Sequence, residues 1–117
     1  MNEEELKNRT KKLALAIIKF VDEFPRTPAG NAVSNQLVRS GTSVGSNYRA
    51  ACRSRSKVEF IARLGIVEEE ADESAYWLEI IIEASMLKKE KVLPLLNEGN
   101  ELAKIMRSSR ISASSRS

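Results

Sequence analysis

The stretch Ser54-Arg55-Ser56-Lys57-Val58-Glu59-Phe60-Ile61-Ala62-Arg63-Leu64 opens the longest apolar-periodic segment of the chain. Ser56 and Glu59 have the spacing of a capping box, which predicts a helix start at Ser56. From there Phe60, Leu64, Val67, Ala71, Leu78 and Ile82 share one helical face. Glu68, Asp72, Glu79 and Glu83 share another. The pattern predicts a helix over about 56–87 that buries its apolar stripe against other helices.

The flanking sequence supplies them. Leu6, Leu13, Ile17, Phe20 and Phe24 recur at helical steps, giving a first helix over about 3–24. The turn Pro25-Arg26-Thr27-Pro28-Ala29-Gly30 ends it. A second helix over about 31–53 puts Val33, Leu37, Val44, Tyr48 and Ala51 on one face. Its middle, Ser40-Gly41-Thr42-Ser43-Val44-Gly45-Ser46, is unusually small. Two helical glycines cost about 1 kcal/mol each against alanine, and close helix–helix approach compensates them. A fourth helix over about 90–108 carries Leu95, Leu96, Leu102, Ile105 and Met106, with Pro94 expected in its first turn. No stretch alternates as a strand does. The fold class is therefore all-α, an antiparallel up-down four-helix bundle over residues 1–107. Residues 108–117 hold six serines and two arginines without apolar periodicity, and read as a disordered tail or a fraying end of the last helix.

Composition excludes much chemistry. The 117 residues contain no His and one Cys. That removes the Ser-His triad, the Cys-His pair, His-bearing di-iron sites and a cysteine zinc site. The acidic run Glu68-Glu69-Glu70-Ala71-Asp72-Glu73 spreads around its helix, so no metal and no cofactor are expected. Ser40-Gly41-Thr42-Ser43 is neither a Walker loop nor a nucleophile elbow. No enzymatic function is expected. Cys52 reads as a small, reduced, partly buried residue. The start Met1-Asn2-Glu3-Glu4-Glu5 is acidic, and no apolar run approaches the ~18 residues of a membrane span. A cytoplasmic location is expected.

The net charge of +3 hides a sorting. Residues 25–67 carry net +6 and residues 68–79 carry net −6. In a hairpin of the second and third helices, Arg39 lies near Glu69, Glu70 and Glu73, which predicts structural ion pairs. Near the hairpin tip, Arg49, Arg53, Arg55, Lys57 and Arg63 face only Glu59. Such a cluster is either an ordinary solvated surface or a seat for the phosphates of RNA or DNA, with the basic tail as an addition. The third helix also carries a second apolar strip, Trp77, Ile80, Ile81 and Ala84. Either another helix of the same chain covers it, or it is an oligomer interface.

Gln36-Leu37-Val38-Arg39-Ser40-Gly41-Thr42-Ser43-Val44-Gly45-Ser46-Asn47-Tyr48-Arg49 resembles the 23S ribosomal RNA intervening-sequence proteins. So do Arg9-Thr10-Lys11, Ser54-Arg55-Ser56-Lys57 with Glu59-Phe60, Glu68 to Glu73, and Tyr76-Trp77-Leu78-Glu79. The resemblance covers about residues 5–107. It implies a ring-like homo-oligomer, a pentamer. It also implies kinship with the accessory variability protein of diversity-generating retroelements, a basic nucleic-acid-binding pentamer. It brings no catalytic residues. Ala50 stands where the family usually has an acid, which leaves this hairpin more basic or differently paired. The expected function is nucleic-acid binding at the basic tip. The alternative is a protein–protein interaction scaffold with a protein partner and no nucleic-acid role.

Overall fold

Each of the first three helices begins where a short polar side chain can cap it. In the computed structural model, which describes residues 1–115, α1 spans Glu3–Phe20 and a 3-10 turn follows over Val21–Glu23. α2 spans Pro28–Cys52, α3 Lys57–Glu83 and α4 Lys89–Ser115. Asn2 accepts from the Glu5 N–H at 2.8 Å, Thr27 from Gly30 at 3.0 Å and Ser56 from Glu59 at 3.1 Å. Pro28 takes the first position of α2, where its fixed φ suits the helix and no N–H is needed. The capping box at Ser56 is half as expected. Its reciprocal arm reaches one residue further back, to the Arg55 N–H at 3.4 Å.

The helices form a bundle of 50 × 21 × 19 Å in which α2 packs on α1 and α3, and α4 packs on α3 and, more sparingly, α1. Leu13, Ile17 and Phe20 from α1 meet Leu37, Val44 and Tyr48 from α2 in the core. Leu64, Val67, Ala71 and Leu78 from α3, and Leu102 and Met106 from α4, complete it. The predicted stripe of α3 needs one correction. Ile81, expected on the second strip, is fully buried, whereas Ile82 is only half-buried. Apart from Ala75, the buried positions 64, 67, 71, 74, 78 and 81 alternate steps of three and four. That heptad spacing keeps a seam facing its partners, and a further step of four from Leu78 overshoots it.

Helix α4 corrects two expectations. Pro94 lies at its sixth residue, beyond the first turn. Pro94 and Glu90, whose carbonyl loses a donor there, are both exposed, so water can satisfy that oxygen. The helix also continues through Ser115, so residues 108–115 are not a disordered tail. The Arg110 guanidinium donates through Nε and Nη2 to one Glu68 carboxylate oxygen at 3.1 and 2.9 Å. Gly65 on α3 leaves room for it, with the Arg110 side chain 3.7 Å from where a Cβ would stand. The last two residues, 116–117, lie outside the described part of the chain.

The small middle of α2 does what its composition implied. A Cβ on Gly41 would come within 2.3 Å of Ile17 Cδ1, and one on Gly45 within 3.3 Å of Thr10 Oγ1. On the other face of α2, the buried hydroxyls of Ser40 and Ser74 lie 3.0 Å apart. Ser74 also lies 2.9 Å from the Glu70 carbonyl.

Three stability measurements check this packing. Gly41→Ala should destabilise by about 1–3 kcal/mol in chemical denaturation despite the better helix propensity, because Ile17 is fully buried. Gly65→Ala meets ordinary van der Waals space and should stabilise by up to ~1 kcal/mol. Ser74→Ala should cost about 0.5–1.5 kcal/mol, since it removes the buried contact to Ser40 while Ser40 keeps the Leu37 carbonyl.

Candidate nucleic-acid interface

Arg39 projects from the exposed side of α2 onto α3. Its guanidinium lies 3.3 Å from Glu70 and also pairs with Glu73. Glu73 in turn accepts from the Trp77 indole N–H at 3.2 Å. The Arg39 guanidinium, aided by that indole, holds the Glu73 carboxyl below the usual carboxylate range. Glu69 is not part of this set. It lines a cleft between α3 and α4 with Glu68 and Asp72, opposite Lys104 and Arg107.

Two further clasps tie α4 to the bundle. Arg9 grips Glu98 with two parallel bonds of 2.7 Å, a bidentate fork between α1 and α4. Lys91 pairs with Glu23. These pairs, with Arg110–Glu68, use charges that a sum along the sequence counts as free. Among the described residues no group of three or more His, Cys, Asp and Glu side chains is placed to hold a metal ion.

The five expected tip cations do not behave alike. Arg63 pairs with Glu59 one turn away at 3.0 Å. Arg49, Arg53, Arg55 and Lys57 are exposed, and none has a carboxylate within salt-bridge distance among the described residues. Three of them line two separate regions. Lys57 lines a hollow with Cys52, Ser54, Phe60 and Ala113, over the end of α4. Arg49 and Arg53 line a groove of about 280 Å³ with Glu4, Lys7, Asn8 and Lys11 of α1.

That groove corrects the charge arithmetic of the hairpin. The first turn of α1 carries Glu3, Glu4 and Glu5, and the fold places it at the same end of the bundle. The tip therefore faces more acid than Glu59 alone. It also gains Lys7 and Lys11, which the net-zero sum of residues 1–24 concealed. The signal was present in the sequence. Gly41 seats on Ile17 and Gly45 on Thr10, and continuing that antiparallel register brings Arg49 and Arg53 beside the start of α1.

Beneath the groove, burial pushes both the Tyr48 phenol and the Cys52 thiol above their ordinary ranges. Cys52 is thus held as the neutral thiol, in keeping with the expectation of an unreactive residue.

The second strip of α3 divides as well. Ile81 belongs to the chain's own core. Trp77 is half-buried against that core and meets Tyr76 edge-on at 5.1 Å. Ile80 is half-buried and Ala84 exposed, and Tyr76 is 53% exposed. The apolar surface left uncovered is therefore smaller than expected and centred on Tyr76, Trp77 and Ile80. Among the described residues no helix is long and apolar enough to cross a membrane.

Comparison with known proteins places this architecture. No curated protein matches the chain. A crystal structure from Bacteroides thetaiotaomicron VPI-5482, a protein of unknown function from the S23 ribosomal protein family, is similar at 30% identity with a TM-score of 0.85. The similarity covers 94% of this chain and 98% of that one. Residues 2–108 match the family model described as 23S rRNA-intervening sequence protein. With nearly the whole described chain inside that match, and a solved relative sharing its fold end to end, the chain belongs to the 23S rRNA-intervening sequence protein family.

Proposed function

We propose that this chain is a non-enzymatic bundle that binds RNA or structured nucleic acid through the basic end of α2 and α3. One observation carries the reading. Among the described residues, Arg49, Arg53, Arg55 and Lys57 stay free of carboxylate partners at one end of the bundle, while Arg39, Arg63 and Arg110 are paired. An unpaired basic cluster attracts polyanions, and its affinity falls steeply with salt. Ala50, in place of an acid, keeps that cluster unneutralised.

Self-association is part of the same proposal. Trp and Tyr are favoured interface anchors, and Tyr76, Trp77, Ile80 and Ala84 form an apolar strip with an exposed aromatic at its centre. The family resemblance extends this to a five-subunit ring that repeats the basic end in each subunit, as in the retroelement accessory protein. A cytoplasmic setting suits such a role.

Salt titration of RNA binding tests the first part. Each of Arg53→Ala, Arg55→Ala and Lys57→Ala should lower the logarithmic slope by about 0.7–0.9, the share of one neutralised phosphate. A slope that the triple variant leaves unchanged excludes this end as the site. A protein partner that survives nuclease in a pull-down, with no RNA bound, would favour the scaffold alternative. Light scattering tests the second part. The wild type should give a multiple of 13.1 kDa at micromolar concentration, and Ala84→Glu should lower that mass without unfolding the chain. A wild-type mass of one chain ends the ring proposal.

A further inference from the structure

Four cations face one another across the α1–α2 groove, and Lys7 alone among them has an acidic neighbour in salt-bridge reach among the described residues, Glu3 at 3.3 Å. Like charges gathered this way repel. Bringing them together is unfavourable unless an anion lies between them. We propose that this groove seats the phosphodiester backbone of one nucleic-acid strand, with Lys7 and Lys11 as one wall and Arg49 and Arg53 as the other. The assignment rests on the nucleic-acid reading above. It adds a second helix to the site and names the chemical group bound there.

Three features favour a sugar–phosphate chain over a base or a small metabolite. First, the lining offers charge and amide only: Lys7, Lys11, Arg49, Arg53 and Asn8, with Glu4 the one acid and no aromatic side chain to stack a base. Second, the cations on each wall are four residues apart, just over one helical turn or about 6 Å along the axis. That makes a ladder running along the groove, whereas a single phosphate needs a closed cup. Third, Arg53 is followed along the chain turn by Arg55 and Lys57, so the ladder ends beside the other unpaired cations of the tip.

Glu4 gives the proposal a sign that misfolding cannot imitate. It is the one carboxylate lining the groove, so removing its charge should tighten binding. Fluorescence anisotropy with a labelled RNA hairpin bearing a single-stranded extension reads this out. Glu4→Gln should bind a few-fold more tightly than wild type. Lys7→Gln with Lys11→Gln should weaken binding about tenfold or more at 0.1 M salt and reduce the salt slope by about 1.4–1.8. Lys88→Gln with Lys89→Gln, about 40 Å away at the far end of α3, should change neither. Inorganic phosphate at matched ionic strength should not displace the RNA at low millimolar concentration. Displacement there would mark a single-phosphate site and overturn the strand. If Lys7→Gln with Lys11→Gln keeps the wild-type slope while Arg55→Gln with Lys57→Gln lowers it, the groove assignment is wrong and the wider reading stands. If wild type shows no salt-dependent binding, both fall.

Discussion

Ile17 occupies the space where a side chain on residue 41 would be, and the rest of the molecule is arranged around that contact. Close approach of α1 and α2 requires glycine at 41, and Gly45 leaves α2 free to pass Thr10 within van der Waals contact. The two glycines weaken α2 as an isolated helix. What they provide is a seam that lets Ile17 and Leu37 be fully buried in one core. The same seam fixes how far α1 reaches along α2. It thereby decides that Lys7 and Lys11 stand beside Arg49 and Arg53. Packing at the middle of the helices and charge at their end are two readings of one register.

Electrostatics is organised by exclusion. The pairs Arg39 with Glu70 and Glu73, Arg9 with Glu98, Arg110 with Glu68 and Lys91 with Glu23 each tie two elements together. Exposed pairs contribute little individually, about 0–1 kcal/mol, and the bidentate Arg9–Glu98 fork, about three-quarters buried, is the best placed of them. Their larger effect is to consume cations and acids along the length of the bundle. Four cations without a carboxylate partner among the described residues, Arg49, Arg53, Arg55 and Lys57, then stand together at the end where α2 turns into α3. The modest net charge of +3 is compatible with a strongly charged patch for this reason.

Much of this was legible from residue order. The N-cap at Ser56, the apolar stripes of α1 and α2, the packing role of Gly41 and Gly45, and Arg39 with Glu70 and Glu73 all follow from periodicity, spacing and the hairpin register. The misses have physical causes. Ile80, Ile81 and Ile82 are chemically alike, and only the supercoiled seam selects Ile81 for the core. The stretch from Ser108 has no apolar stripe because its helix is held by an ion pair and by Ala113 beside Phe60. Lys7 and Lys11 were hidden because a sum over residues 1–24 gives no sign of which charges the fold gathers at the groove. Glu3, Glu4 and Glu5 sit at the end, and Lys7 and Lys11 along the groove.

The Ser40–Ser74 pair has a consequence for how the chain finds this arrangement. A seam built from apolar side chains alone tolerates displacement by a heptad, because one aliphatic surface resembles the next. Two hydroxyls buried in that seam do not. Only one alignment of α2 on α3 brings them to 3.0 Å; in a slid alignment each keeps only a carbonyl of its own helix, Leu37 for Ser40 and Glu70 for Ser74. The pair contributes modestly to depth of the native well. Its selectivity lies in a contact that neighbouring registers lack, which favours one vertical position of the hairpin once it has collapsed.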